Sequence, residues 1–195
     1  MPGDLNSSRL EAFSDGVIAV IITIMVLDLR VPSTRELGNA DAIRADLKLI
    51  LVYLLSFVQI GIYWVNHHYL IDDVEEISHG ILWANLAFLF TLSLIPFATN
   101  WVAERGVTSF SVALYAIACA LPSLTWVVLS TIICRRTTIP LAGSPAKQFV
   151  SASLYLGAIP VACYHPMIAI GMMVLVSILW LVRPRRLRET AGSQS

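Results

Sequence analysis

Long runs without Asp, Glu, Lys or Arg constrain the fold of this chain more than any other feature of its sequence. A helix that crosses the hydrocarbon core of a bilayer, about 30 Å thick, needs roughly 20 mainly apolar residues. Several charge-free runs reach that length, and the longest covers residues 148–182. The sequence therefore predicts an all-α membrane protein with six transmembrane helices, at residues 13–29, 49–69, 80–102 and 106–134 and at two positions within 148–182.

The run at residues 148–182 is too long for a single span, because a continuous helix of that length would measure about 50 Å at 1.5 Å per residue. Pro160 and Pro166 flank the pair Tyr164 and His165. Prolines on both sides of a polar pair favour a tight reversal of the chain. We therefore expect two short helices that are joined near His165.

The composition suits burial in lipid. Hydrophobic residues make up 57% of the chain, and charged residues make up only 13%, about half the fraction in soluble domains. The formal net charge of +0 leaves no basic surface for nucleic acid. Cys119, Cys134 and Cys163 lie in or beside apolar runs without C-x-x-C spacing, so neither a disulfide framework nor a zinc site is expected. We expect membrane lipid as a partner and no cofactor.

The basic residues predict the orientation of the chain. With six spans both termini lie on the same side, and eight of the thirteen Lys and Arg residues fall on that side. Because basic residues concentrate on the cytoplasmic side, we predict a cell-membrane protein with both termini cytoplasmic. The arginine-rich segment 183–188 is interpreted as a topology anchor, with binding of anionic lipid as the alternative. Residues 1–188 would form one transmembrane domain and residues 189–195 a disordered tail.

The uncharged part of the first predicted span is unusually short. Only twelve residues separate Asp15 from Asp28, whereas a span exposed to lipid needs about 17–25. At least one aspartate must therefore approach membrane depth, where ionisable side chains normally face a bundle interior or a water-filled cavity. This predicts a central position for the first helix. The alternative is that Ser14 and Asp15 only cap the helix, or that Asp15 pairs with Arg9.

One face of this helix is apolar apart from a single hydroxyl group. Val20, Ile24 and Leu27 share a stripe, with Thr23 beside it. Such a stripe is more typical of helix packing than of a pore. The residues alone leave both interpretations open.

Short motifs in the first half of the chain resemble a known family. Arg9, Phe13, Ser14 and Asp15 form an R-x-x-x-F-S-D signature at the start of the first helix. Three further motifs continue the similarity: Y-W-V-N-H-H at 63–68, W-A-N-L at 83–86 and L-I-P-F-A-T at 94–99. Together they resemble the transmembrane-protein-175 family of potassium channels over about the first hundred residues.

The resemblance implies a six-helix unit whose first helix lines a central pore for potassium ions. Because this chain carries the F-S-D element once, it implies a homotetramer. The sequence contains no T-V-G-Y-G filter loop. In the family, selectivity is instead attributed to rings of first-helix side chains, which implies here Val20, Ile24 and Leu27, with Thr23 as the hydroxyl position. Apolar rings would close the pore by dewetting, with a modest preference for potassium.

The resemblance also implies a polar network that holds the first helix in register. It would join Arg9, Ser14 and Asp15 of the F-S-D signature, which also contains Phe13, to His67 and Asn85. The histidines and carboxylates after the second span could instead suggest a metal site, since His68 and Asp72, and Glu75 and His79, are spaced four apart. The chain lacks an H-E-x-x-H pattern, so a solvated loop is the preferred interpretation.

Two other functional classes compete with a channel. A secondary, proton-coupled cation transporter would use Asp15 and His67 as a proton relay, but the sequence shows neither a broken helix nor an internal inverted repeat. An intramembrane enzyme is the weakest hypothesis, because the chain has no G-x-S-x-G nucleophile and no cofactor motif.

Overall fold

A computed structural model describes residues 7–27, 39–72, 74, 77–135 and 145–181, which are helical almost throughout. Over these ranges the chain forms seven α-helices: α1 (Ser7–Leu27), α2 (Asn39–Asp72), α3 (His79–Leu92), α4 (Leu94–Arg105), α5 (Ser109–Cys134), α6 (Pro145–Tyr164) and α7 (Pro166–Leu181). The predicted all-α fold is confirmed. The predicted tail at 189–195 lies outside the described residues.

Four helical segments of the described chain are long and apolar enough to cross a membrane. They are Ser7–Leu27, Leu49–Asp72, His79–Arg105 and Ser109–Cys134. A fifth apolar helix, α7, is shorter, with 16 residues. These segments support the prediction of a membrane protein with several spans.

The third span is divided into α3 and α4 at Ser93. Pro96 causes the interruption, because proline lacks the N–H that would bond to the Leu92 carbonyl and its ring clashes with that carbonyl. The Ser93 N–H still donates to the Leu89 carbonyl at 3.0 Å, and its Oγ donates to the Phe90 carbonyl at 2.7 Å. The two halves therefore remain joined as one span, His79–Arg105.

The predicted reversal near His165 is confirmed. α6 ends at Tyr164, α7 begins at Pro166, and the two helices pack against each other. Pro166 occupies the first position of α7, where a missing N–H costs nothing, and the His165 carbonyl accepts from the Ala169 N–H at 3.2 Å. Pro160, however, lies inside α6.

The first two helices begin earlier than hydropathy predicted. α1 includes residues from Ser7 onward, and α2 begins at Asn39 instead of residue 49. Hydropathy marks where a helix meets apolar surroundings, whereas helical geometry also extends through charged residues that favour it. Ser14 and Asp15 consequently lie two turns inside α1, so the interpretation that they only cap it is wrong.

α5 is the central helix of the described bundle, packed against α3, α4, α6 and α7. Its Trp126 lies beside Phe88 of α3 and Tyr63 of α2, with ring centroids 5.5 and 6.3 Å away. α1 packs on the other side of this bundle, against α2, α3 and α4. It therefore occupies an edge of the helix bundle, with one face open.

A polar cluster is buried where α2, α5 and α6 meet. Gln59 Nε2 donates to the Tyr155 hydroxyl at 2.8 Å, and the Cys119 thiol donates to Gln59 Oε1 at 3.2 Å. Ser56 Oγ lies 2.7 Å from the Tyr115 hydroxyl. At membrane depth such groups need internal partners, and this cluster links three helices through them.

Candidate ion pathway on the first helix

α1 has two different faces. Its buried face carries Leu10, Ser14, Ile18, Ile21 and Met25, which recur every three or four residues and pack toward the bundle. On the opposite side, Val20, Ile24 and Leu27 are 55%, 46% and 77% exposed. Thr23 is exposed beside them. All four residues that the resemblance assigned to the pore thus lie on the open face of the helix.

Thr23 provides the one hydroxyl group of this face. Its Oγ1 donates to the Val20 carbonyl at 3.0 Å. The hydroxyl proton is thereby engaged within the helix, while the oxygen lone pairs remain available to accept. An exposed oxygen with free lone pairs is chemically suited to a cation.

A chain of buried hydrogen bonds fixes the other face. Asn85 Nδ2 donates to Ser14 Oγ at 2.9 Å, and Ser14 Oγ donates to the Leu10 carbonyl at 2.8 Å. His67 Nε2 lies 2.7 Å from Asn85 Oδ1. Ser14, His67 and Asn85 are completely buried. Three of the predicted network residues are therefore joined, one each from α1, α2 and α3; we call them the Ser14–Asn85–His67 chain.

The direction of hydrogen-bond donation along the Ser14–Asn85–His67 chain follows from the chemistry of its groups. Asn85 Oδ1 can only accept, so His67 Nε2 must carry the proton and donate it. Donation then proceeds from His67 to Asn85, from Asn85 to Ser14, and from Ser14 to the backbone of α1. Nδ1 of His67 has no hydrogen-bond partner among the described residues. The imidazole ring is held by stacking on Phe88, with centroids 5.8 Å apart and planes 8° from parallel.

A second set of contacts joins α1 to α2 beside the buried chain. Trp64 Nε1 donates to Asp15 Oδ1 at 2.9 Å, and His68 pairs with Glu11. The hydrogen bond of Asp15 thus goes to Trp64, whereas the resemblance pointed to His67 and Asn85. Arg9 and Phe13 are exposed and lie outside the Ser14–Asn85–His67 chain.

Sequence reasoning missed Glu11, Trp64 and His68 as contact residues. Glu11 and Asp15 are four apart on α1, and Trp64 and His68 are four apart on α2, so each pair shares a helix face. This matched spacing is the feature of the sequence that could have predicted the contact between the two helix faces. His68 therefore faces α1, and the part of the chain that the structure describes contains no group of three or more metal-ligating side chains. Asp28, Asp73, Glu75 and Glu76 lie outside the described residues.

The chain is similar to known channel proteins along most of its length. A family profile described as endosomal/lysosomal potassium channel TMEM175 matches residues 9–96. A potassium channel of Chryseobacterium sp. (strain P1-3) is 38% identical over 191 residues, which cover 95% of this chain and 98% of that relative. The chain belongs to the TMEM175 family. The predicted resemblance is confirmed.

Two further similarities extend beyond the first helices. A potassium channel of Streptomyces collinus is 32% identical over 160 residues, covering 76% of this chain and 78% of that protein. The crystal structure of a lysosomal potassium-selective channel TMEM175 homolog from Chamaesiphon minutus superimposes with a TM-score of 0.70 and 26% identity, covering 90% of this chain and 96% of the other. The open face of α1 and the Ser14–Asn85–His67 chain both fall within the matched segment 9–96.

Proposed function

We propose that this TMEM175-family protein is a potassium-permeable cation channel whose pore is lined by the open face of α1 in a homotetramer. The observation that carries the proposal is the exposure of Val20, Thr23, Ile24 and Leu27 on a helix whose other face is fixed by buried hydrogen bonds. The choice of potassium as the ion rests on the relatives from Chryseobacterium and Streptomyces, which are both described as potassium channels.

Assembly is part of the proposal, because a single helix cannot enclose a path. Four copies of α1 around an axis would bring Val20, Ile24 and Leu27 together as three stacked rings. At 1.5 Å per residue, the rings would extend over about 10 Å of the pore. A dry apolar constriction of that length stops ions by dewetting, and a slight widening restores a hydrated path.

Thr23 is the proposed source of ion preference. Four hydroxyl oxygens at one level could replace part of the hydration shell of a potassium ion, since each has free lone pairs. This is a weaker cage than rings of backbone carbonyls. The proposed channel therefore discriminates modestly between potassium and sodium.

The proposed topology has six spans, with both termini in the cytoplasm and the protein in the cell membrane. α6 and α7 would supply the last two spans, with 20 and 16 residues, or about 30 and 24 Å. The shorter α7 would be accommodated by local thinning of the bilayer or by arginines that reach the interface. The whole of residues 1–188 would act as one channel domain.

Reconstitution of the purified protein into planar bilayers tests this function. Reversal potentials in potassium against sodium would be measured for the wild type, for Ile24→Asn and for Val26→Asn. Ile24→Asn should increase the conductance, because a polar ring keeps the constriction wet. Val26 is 50% exposed but lies about 160° around the helix from Ile24 and about 100–120° from Val20 and Leu27, so Val26→Asn is the matched control.

Absence of cation current in all three proteins would refute the channel. An equal effect of both substitutions would refute the assignment of the pore face. A secondary, proton-coupled transporter remains the alternative class, and it would give saturable flux without unitary currents. The proton relay proposed for it finds no support in the described contacts, where Asp15 bonds to Trp64 and His67 bonds to Asn85.

A further inference from the structure

A small polar cavity lies between α2, α5, α6 and α7, next to the buried polar cluster around Gln59. The space in it that is open to the centre of a water molecule is about 20 Å³, and roughly 10–15 Å³ is enough to hold one water. Ten of the thirteen described residues that line it have a polar atom in the side chain, and none of the thirteen is Asp, Glu, Lys, Arg or His. The cavity therefore combines room for one small molecule with a polar, uncharged lining.

The indole N–H of Trp126 is a buried donor on the wall of this cavity. Trp126 is 2% exposed, and its Nε1 has no hydrogen-bond partner among the described residues. The ring is packed beside Phe88 and Tyr63, with centroids 5.5 and 6.3 Å away, so it cannot turn freely toward another acceptor. Because a buried N–H without an acceptor lowers the free energy of unfolding, this donor indicates a ligand that can accept a hydrogen bond.

The hydroxyl group of Tyr155 supplies a second donor. Tyr155 is 3% exposed and lines the same cavity. Its oxygen accepts from Gln59 Nε2 at 2.8 Å, and within the described part of the chain its own proton is donated to no acceptor. Two donors, one from α5 and one from α6, thus line one cavity. A single oxygen atom with two lone pairs can accept from both.

Hydroxyl oxygens that can accept line the cavity as well. Ser177 Oγ donates to the Met173 carbonyl at 3.2 Å. Ser151 Oγ donates to the Lys147 carbonyl at 2.8 Å and accepts from Trp180 Nε1 at 2.7 Å. Since a hydroxyl oxygen has two lone pairs, each serine retains at least one. A ligand in this cavity therefore meets acceptors as well as donors.

The lining distinguishes water from ions of similar size. A cation has no lone pair to accept from Trp126, and an anion would find no basic side chain among the described lining residues. An unpaired ion at a buried site is also strongly disfavoured. Water is neutral, accepts two hydrogen bonds and donates two, and buried waters typically bond to about three otherwise unsatisfied groups.

We propose that the cavity binds one water molecule, which accepts from Trp126 Nε1 and the Tyr155 hydroxyl and donates to the serine oxygens of α6 and α7. The water would tie the central helix α5 to the α6–α7 pair. The site lies inside the helix bundle, away from the open face of α1, so it does not depend on the proposed ion path.

A crystal or cryo-electron microscopy structure of the full-length protein, at a resolution that shows ordered water, tests the proposal. An oxygen should lie about 2.7–3.2 Å from Trp126 Nε1 and within hydrogen-bond distance of the Tyr155 hydroxyl. Trp126→Phe should lack this density. Trp180→Phe is the matched control, because Trp180 lines the same cavity but its N–H is bonded to Ser151, and it should retain the density.

Nuclear magnetic resonance of protein labelled with ¹⁵N-tryptophan gives an independent measurement. The chain has five tryptophans, and the indole signal that disappears in Trp126→Phe identifies Trp126. Its indole proton should show a nuclear Overhauser cross-peak to water. Val176→Leu extends a buried side chain into the cavity and should abolish this cross-peak. Val174→Leu, at an exposed position on the same helix that does not line the cavity, should keep it.

Three results would overturn the proposal. The first is a wild-type map that resolves other buried waters but shows no density beside Trp126 Nε1. The second is a Trp126 indole signal without a cross-peak to water, or with the same cross-peak in Val176→Leu as in the wild type. The third is density that changes when potassium is exchanged for rubidium, which would identify a cation in place of water.

Discussion

Replacing Asn85 by Leu should destabilise the packing of α1 on α2 and α3. Asn85 makes two hydrogen bonds between fully buried groups, one to Ser14 Oγ at 2.9 Å and one to His67 Nε2 at 2.7 Å. Side-chain hydrogen bonds between membrane helices contribute about 0.6 kcal/mol on average and up to about 1.7. The loss of both bonds should therefore lower the free energy of unfolding by about 1–3 kcal/mol.

The two ends of the Ser14–Asn85–His67 chain are affected differently by replacing Asn85. Ser14 Oγ keeps its bond to the Leu10 carbonyl at 2.8 Å, whereas the His67 Nε2–H is left buried without an acceptor. A buried donor without an acceptor lowers the free energy of unfolding by more than one hydrogen bond raises it. A second variant, His67→Phe, leaves Asn85 Oδ1 without its donor but removes only one of the two hydrogen bonds and keeps a ring on Phe88, so it should cost less than Asn85→Leu.

Reversible unfolding by sodium dodecyl sulfate in mixed micelles, followed by far-ultraviolet circular dichroism, measures these differences. Ser153→Ala is the control, because Ser153 is exposed on α6 and should change stability by no more than about 0.5 kcal/mol. Wild-type stability in Asn85→Leu would refute the role assigned to the buried chain, as would a larger loss in His67→Phe than in Asn85→Leu.

Three further substitutions test separate contacts. Thr23→Val keeps the shape of the side chain but removes its oxygen, so bilayer recordings should show a lower potassium-to-sodium permeability ratio with the current retained; an unchanged ratio would contradict the role of Thr23. Gln59→Leu removes the 2.8 Å bond to Tyr155 and the acceptor of the Cys119 thiol, so the same unfolding assay should show a loss of about 1–3 kcal/mol. Trp64→Phe removes the 2.9 Å bond to the Asp15 carboxylate at a partly exposed site, and a loss above about 3 kcal/mol in the unfolding assay would exceed what one such bond supplies.

The helical architecture was largely predictable because it depends on local properties of the chain. Charge-free length indicated where helices meet lipid, and proline chemistry placed the break before Pro166. The early start of α2 at Asn39 was not predictable from hydropathy, because its first turns are polar. The interruption at Ser93 has the same kind of cause, since Pro96 lies three residues further along the chain.

The contacts of α1 were harder to predict than its existence. Helical spacing placed Val20, Ile24 and Leu27 on one stripe, but could not say whether that stripe faced the bundle or away from it. The answer depends on the rotation of α1 against α2 and α3, which is decided by partners distant in sequence. Asp15 shows this, since the choice of Trp64 as its partner depends on the relative positions of two helices.

The one-way order of donors in the Ser14–Asn85–His67 chain also limits how these positions can vary during evolution. His67 donates a hydrogen bond to Asn85, Asn85 donates one to Ser14, and Ser14 donates one to a backbone carbonyl that no substitution can remove. An acidic residue in place of Asn85 would have no proton to give to Ser14, and a side chain without a donor in place of His67 would leave Asn85 Oδ1 unpaired. A change at one of the three positions should therefore be accompanied by a change at a hydrogen-bonded neighbour. Among relatives, we expect Ser14, Asn85 and His67 to be conserved together or substituted together.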